Sequence, residues 1–215
     1  MNSITRLMLA GASVIGITAL LTGCGNGSPD LYKDASQPVE KRVENLLSQM
    51  TLDEKIGQLN QRSMWDGDEA LAHFTQEISD GNIGSLLNVP SAAFADSMQR
   101  VAMERTRLGI PLLISRDVIH GYKTIFPIPL GQAATFDTTI VEQGARIAAV
   151  EASSDGIRWT FAPMIDIARD PRWGRIAEGC GEDVYLTSLM SRAMVKGFQG
   201  DDLTDPTSMA ACAKH

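Results

Sequence analysis

Leu112-Leu113-Ile114-Ser115 is a non-alternating run of strand length, and it leads directly into Arg116, Asp117, Val118, Ile119 and His120. A strand without polar alternation has both faces covered, the condition of a parallel sheet packed under helices. Working outward, residues 159–165 form a second such run, and residues 208–213 read as a last strand of small residues. Upstream, the first strand is expected within residues 83–89, bracketed by Gly81, Gly84 and Pro90. Helical segments separate these runs. Residues 91–108 are rich in Ala and Met and stop at Gly109 and Pro111, residues 137–152 have helical character, and Asp183 can cap a helix reaching Phe198. Two short helices precede the first strand. Val39, Val43, Leu46, Leu47 and Met50 recur at spacings of three and four behind Pro38, and Thr51-Leu52-Asp53-Glu54 has the form of a capping box.

Buried strands alternating with helices give an α/β fold. The placement of charge decides between a barrel and an open sheet. Arg116, Asp117 and His120 follow the 112–115 run; Asp166, Arg169, Asp170, Arg172 and Arg175 follow the 159–165 run; Lys214 and His215 follow the last. In a (β/α)8 TIM-type barrel, all strand C-terminal ends open on one face, where such clusters converge. A doubly wound sheet binding a nucleotide carries a glycine-rich phosphate turn, and neither G-x-G-x-x-G nor a Walker loop occurs. A complete barrel takes about 250 residues, so the N-terminal half of one, or slightly more, is expected over residues 38–215 of the 215.

The chain is 44% hydrophobic and 21% charged, with a formal net charge of -7, and no Lys/Arg run lies beyond the first residues. This excludes a polyanion-binding face, so no nucleic acid partner is expected. Residues 1–24 have a different character. Arg6 precedes an apolar stretch from Leu7 to Leu21 that ends Leu21-Thr22-Gly23-Cys24, too short for a bilayer span of about 20 residues and suited to an export signal. Small residues before a cysteine resemble the lipobox of bacterial lipoproteins, which implies lipidation of Cys24; ordinary signal cleavage nearby is the alternative. Residues 25–37 then serve as a flexible tether, and the membrane is met only through that anchor. Cys180 and Cys212 read as reduced structural residues rather than a disulfide framework.

The densest chemistry lies in Arg169-Asp170-Pro171-Arg172-Trp173-Gly174-Arg175, with Glu178, Glu182 and Asp183 behind it. For most of these residues the reading is a salt-bridged loop in which Arg169, Asp170 and Arg172 neutralise one another and Trp173 packs underneath. One arginine is left to face inward, where its donor fork matches adjacent sugar hydroxyls. Asp117 either pairs with Arg116 or accepts two hydroxyl donors at once, and spacing alone leaves both open. No metal-ligating constellation of His, Cys and carboxylates is present in the sequence, and no cofactor is expected.

Seven motifs then appear in order: Thr51-Leu52-Asp53-Glu54-Lys55-Ile56-Gly57-Gln58, Asp117-Val118-Ile119-His120-Gly121, Phe126-Pro127-Ile128-Pro129-Leu130-Gly131, Phe161-Ala162-Pro163-Met164, residues 169–175, Gly181-Glu182-Asp183 and Ala211-Cys212-Ala213-Lys214-His215. Together they resemble the family 3 glycoside hydrolases, especially the periplasmic β-glucosidase branch. The resemblance implies that Asp117, Arg175, Lys214 and His215 bind the non-reducing terminal sugar of a β-glucoside or oligosaccharide, Lys214 and His215 by donating to its hydroxyls. It implies an exo-acting retaining hydrolase whose nucleophilic aspartate and acid/base glutamate lie beyond residue 215, so that no catalytic residue is among these and the chain alone is inactive. His120 and Tyr122 are expected to shape the loop under Asp117, and Arg169, Asp170 and Glu178 to act as supports. Relatives acting as β-xylosidase, exo-glucanase or β-N-acetylhexosaminidase, and a non-catalytic lipid-anchored sugar-binding protein, are the competing readings. The oligomeric state stays open.

Overall fold

A computed structural model of the chain describes residues 28–64 and 69–215. The expected export signal over residues 1–24, with Cys24, lies outside the described residues. Two units are present, the first ending at Gln49 and the second running Met50–His215. In the first, a 3-10 turn at Leu31–Lys33 precedes α1 (Val39–Gln49). Residues expected in the tether are hydrogen-bonded to this helix: the Tyr32 N–H donates to Asn45 Oδ1 at 3.2 Å, and Arg42 Nε donates to the Tyr32 carbonyl at 2.9 Å.

The second unit alternates helix and strand: α2 (Leu52–Gln58), β1 (Gln61–Ser63), α3 (Glu69–Ser79), β2 (Ser85–Leu87), α4 (Ala92–Arg105), β3 (Leu113–Arg116), α5 (Pro129–Ala133), α6 (Thr138–Ser154), β4 (Trp159–Thr160), α7 (Val184–Gln199) and β5 (Ala210–Ala211). The capping box forms as the sequence suggests, with the Glu54 N–H donating to Thr51 Oγ1 at 3.2 Å and the Thr51 N–H to Glu54 Oε2 at 2.8 Å. Ser91, Asp137 and Asp183 cap α4, α6 and α7 with their side chains, satisfying backbone donors that the first helical turn leaves unpaired.

The strands pair in parallel in the order β1-β2-β3-β4-β5. Consecutive parallel strands joined by right-handed crossovers place every helix on the same face, which curls the sheet into a barrel; a doubly wound sheet needs a reversal of strand order. The fold is a TIM-type barrel in part, as expected. The first strand is a correction: β1 precedes the strand at residues 83–89, which is second in the sheet. Gln61-Arg62-Ser63 is wholly polar, so hydrophobic pattern could not reveal it.

The core lies between sheet and helices, with Leu86, Ile114, Ile157, Met98, Ala149, Met190 and Phe198 almost fully buried. Helices α6 and α7 touch closely at Gly197, where a Cβ would clash with the Glu142 carbonyl oxygen and lie 2.6 Å from Ala145 Cβ.

Candidate functional site

The strand ends carry the charged residues. Asp117 follows β3, and the loop beneath it is tightly held. The Val118 N–H donates to Thr160 Oγ1 at 3.1 Å, tying the loop to β4. His120 Nδ1 lies 2.9 Å from the Phe126 carbonyl, which can only accept, while the Phe126 N–H donates to the His120 carbonyl at 2.8 Å. Gly121 sits at φ 121°, and a Cβ there would clash with the Thr124 carbonyl, so the turn tolerates only glycine. Tyr122 donates its hydroxyl to Asp155 Oδ2 at 2.9 Å; burial and that hydrogen bond push its phenol up to about 12. Its ring also lies 5.3 Å from the Arg116 guanidinium. Arg116 is thereby turned to the tyrosine, and Asp117 pairs elsewhere.

That partner is Lys214. Its Nζ donates to Asp117 Oδ1 at 2.9 Å, the lysine side chain 12% exposed and the aspartate 56%. Lys214 is delivered by the strand ladder: Met164 pairs with Lys214, the Ile165 N–H donates to the Lys214 carbonyl at 2.8 Å, and the Lys214 N–H donates to the Pro163 carbonyl at 3.1 Å.

Arg175 stands at the start of a 3-10 turn, Ile176–Glu178. Its Nε and Nη2 donate to Glu178 Oε1 and Oε2, both at 2.7 Å, in a bidentate fork. Each charge stabilises the other: the carboxylate raises the guanidinium, and the Arg175 hydrogen bond holds the Glu178 carboxyl below its ordinary range. Nη1 reaches His215 Nε2 at 3.3 Å, and His215 Nδ1 lies 2.8 Å from Asp166 Oδ2. The histidine hydrogen bond holds the Asp166 carboxyl below the usual value.

The structure thus brings Asp117, Arg175, Lys214 and His215 to one end of the sheet. It adds Asp166, to which the sequence assigned no role. The only sequence signal was its place directly after the 159–165 run; the register of Met164 against Lys214 is what sets it beside His215. Glu178 is a support, as expected. In the arginine-rich loop Asp170 binds Arg172, whose Nε lies 3.0 Å from both carboxylate oxygens. Two expectations fail there. Arg169 is exposed and takes no part in that pair, and Trp173 is 43% exposed instead of packed underneath. The 3-10 turn Pro171–Trp173, closed by Gly174 at φ 88°, carries the indole outward.

Among the described residues no three His, Cys, Asp or Glu side chains are placed to hold a metal ion. Both described cysteines are free thiols, and burial pushes the Cys180 thiol up to about 11. A concavity of about 800 Å³ is lined by residues of α6 and α7 and of the segments after β4 and β5, among them Glu142, Pro163, Ile165, Lys196 and Ala213. None of the four clustered residues lines it. An open fork of two carboxylate-paired cations with spare donors, beside a carboxylate with a spare oxygen, is instead suited to a polyhydroxylated ring.

Residues 51–215 match the family described as Glycosyl hydrolase family 3 N terminal domain. A periplasmic β-glucosidase of Salmonella typhimurium is 44% identical over 173 residues, 80% of this chain and 22% of that protein. A periplasmic β-glucosidase/β-xylosidase of Dickeya chrysanthemi is 30% identical over 217 residues, 88% of this chain and 33% of that protein. The crystal structure of a β-glucosidase from Listeria innocua superposes with a TM-score of 0.75 at 44% identity, covering 83% of this chain and 26% of that one. The chain spans about a quarter of the length of the first relatives it matches, 22% of the Salmonella protein and 26% of the Listeria one. The chain therefore belongs to glycosyl hydrolase family 3.

Proposed function

We propose that this chain supplies the sugar-binding end of an exo-acting, retaining β-glucosidase. The observation that carries the reading is the meeting of Asp117, Lys214, Arg175 and His215 at the strand C-terminal ends, the first three with hydrogen-bonding capacity left over and His215 able to exchange its Arg175 contact for a hydroxyl. Lys214 uses one of its three N–H donors on Asp117, and Asp117 accepts at Oδ1 alone. Arg175 commits three N–H groups to Glu178 and His215 and keeps two. A terminal glucosyl ring has adjacent equatorial hydroxyls that fit this set of paired donors and acceptors. Binding energy from these hydroxyls, far from the scissile bond, orients the ring for attack at the anomeric carbon. In the retaining mechanism that the family resemblance implies, an aspartate attacks that carbon while a glutamic acid protonates the leaving oxygen, and water then releases the sugar. The resemblance assigns neither carboxylate to a residue of this sequence. Residues 1–24 suit export, with Cys24 as the lipidated mature N-terminus of a periplasmic or outer-membrane lipoprotein; the periplasmic naming of the Salmonella relative supports export.

The test is to express the complete open reading frame without residues 1–24 and assay it on aryl β-glucoside, β-xyloside and N-acetyl-β-glucosaminide, beside Arg175→Ala. Glucoside hydrolysis that collapses in the variant is the expected result. Preference for xyloside would move the assignment toward the xylosidase relatives, and no turnover of any glycoside would favour a sugar-binding protein.

A further inference from the structure

His215 stands between two partners of opposite hydrogen-bonding sense. Its Nδ1 lies 2.8 Å from Asp166 Oδ2 and its Nε2 lies 3.3 Å from Arg175 Nη1. A guanidinium has donors only and stays protonated, so the nitrogen facing it has to accept. Nε2 is then bare, and the ring's single proton sits on Nδ1, where it donates to the Asp166 carboxylate. An imidazolium would set two donors against each other at Nε2. The opposite tautomer would do the same, and would also turn the Nδ1 lone pair toward a carboxylate oxygen. The neutral Nδ1–H form satisfies both contacts.

We infer that Asp166 is a positioning residue of the sugar clamp, fixing His215 as the neutral Nδ1–H tautomer so that Nε2 keeps a lone pair, which accepts from Arg175 in this structure and passes to a sugar hydroxyl that inserts between them. This rests on the reading of the cluster as a glycosyl clamp, and it makes His215 an acceptor within it. Asp166 is well placed for the task. The ladder that joins residues 163–165 to Lys214 holds the backbones of Asp166 and His215 in fixed relation, so the carboxylate acts from a rigid support. The consequence is directional. A hydroxyl lying between Lys214 or Arg175 and His215 accepts from the cation and donates to Nε2, so its proton is oriented before chemistry begins. A substrate lacking that hydroxyl leaves Nε2 paired with Arg175, as it is here, and forfeits the hydrogen bonds that the inserted hydroxyl would make.

Asn in place of Asp166 keeps the shape but can offer an amide N–H to Nδ1, which inverts the tautomer and opposes Nε2–H to Arg175; such inversion follows loss of the aspartate behind a catalytic histidine in the serine protease triad. Gln in place of His215 presents a side-chain oxygen near the Nε2 position whatever residue 166 is. The experiment uses the complete protein as wild type, Asp166→Asn, His215→Gln and the double variant. Glucose affinity is measured by calorimetry, KM and kcat on an aryl β-glucoside, and the histidine tautomer by solid-state 15N spectra, with His215 identified by its loss in His215→Gln. The expected results are a bare Nε2 in the wild type, inversion in Asp166→Asn, and about a tenfold to hundredfold loss of glucose affinity with a matching rise in KM, the scale of one charge-assisted hydrogen bond. In the His215→Gln background the effect of Asp166→Asn should vanish. A protonated Nε2 in the wild type, or an Asp166→Asn penalty of equal size in both backgrounds, overturns the inference, since a purely structural role of Asp166 would persist without the histidine. A wild type with a bare Nε2 but no affinity for glucose would instead sink the clamp reading, and with it the role assigned to the tautomer.

Discussion

Replacing Asp117 with alanine removes the carboxylate that meets Lys214 Nζ at 2.9 Å. Two effects follow, and the structure separates them. The lysine side chain is 12% exposed, so its ammonium loses its partner in a poorly solvated position; the aspartate is 56% exposed, and water will replace much of the lost interaction. The stability cost is therefore about 1 kcal/mol, well short of a fully buried pair. The functional effect is larger. An ionised carboxylate accepting two sugar hydroxyls contributes about 1.5–3 kcal/mol per hydrogen bond, and losing both lowers kcat/KM by about 10²–10⁴. Asp117→Asn keeps the shape and one acceptor oxygen, so its loss should be about 10–100-fold. The assay is kcat/KM of the complete protein on an aryl β-glucoside, with thermal midpoints recorded beside it. A loss below about tenfold in Asp117→Ala at an unchanged midpoint would refute the reasoning, because the carboxylate would then be no hydroxyl acceptor.

Three further predictions concern the surrounding structure. The Glu178 carboxyl is depressed by Arg175, so its contribution to stability is present above the unfolded value and is lost as pH falls through the lower folded value; thermal midpoints followed from neutral pH into the acid range should fall less in Glu178→Gln than in wild type. Burial raises the Cys180 thiol to about 11, so at pH 8 it is protonated and should react with a disulfide reagent only after denaturant is added, as a thiol titration will show. Gly197→Ala forces a methyl group against the Glu142 carbonyl between α6 and α7, and should cost about 2–3 kcal/mol, read as a lowered denaturation midpoint at unchanged slope.

Much of this architecture was legible because the relevant signals are local. Non-alternating apolar runs marked β2, β3 and β4, and Ser91, Asp137 and Asp183 announced helices by capping them. The spacing of Leu71, Phe74 and Ile78 carries a helical signal for α3 as well, a third helix ahead of the strand at residues 83–89 where two were expected. β1 could not be read, since Gln61-Arg62-Ser63 has no apolar pattern and is recognised only through its pairing with Ser85, Leu86 and Leu87. In the site, strand-end charge marked the region, while Asp117, Arg175, Lys214 and His215 were named as a set only by the family resemblance. The partners were a different matter. Whether Asp117 meets Arg116 or Lys214, and that Asp166 meets His215, depends on the register of Met164 against Lys214 and on the turn of Arg116 toward Tyr122, which are tertiary facts. Trp173 shows the same limit in reverse: its apolar bulk suggested burial, yet backbone geometry at Gly174 carries it outward.

The central claim is that the cluster at the strand ends grips a terminal sugar. A crystal structure of the complete protein with bound glucose tests it most directly. The account predicts ring hydroxyls within about 3.2 Å of Asp117, Lys214, Arg175 and His215, with a hydroxyl donating to His215 Nε2. Glucose bound elsewhere, with Asp117 still closed on Lys214 and no hydroxyl near Arg175, would contradict it.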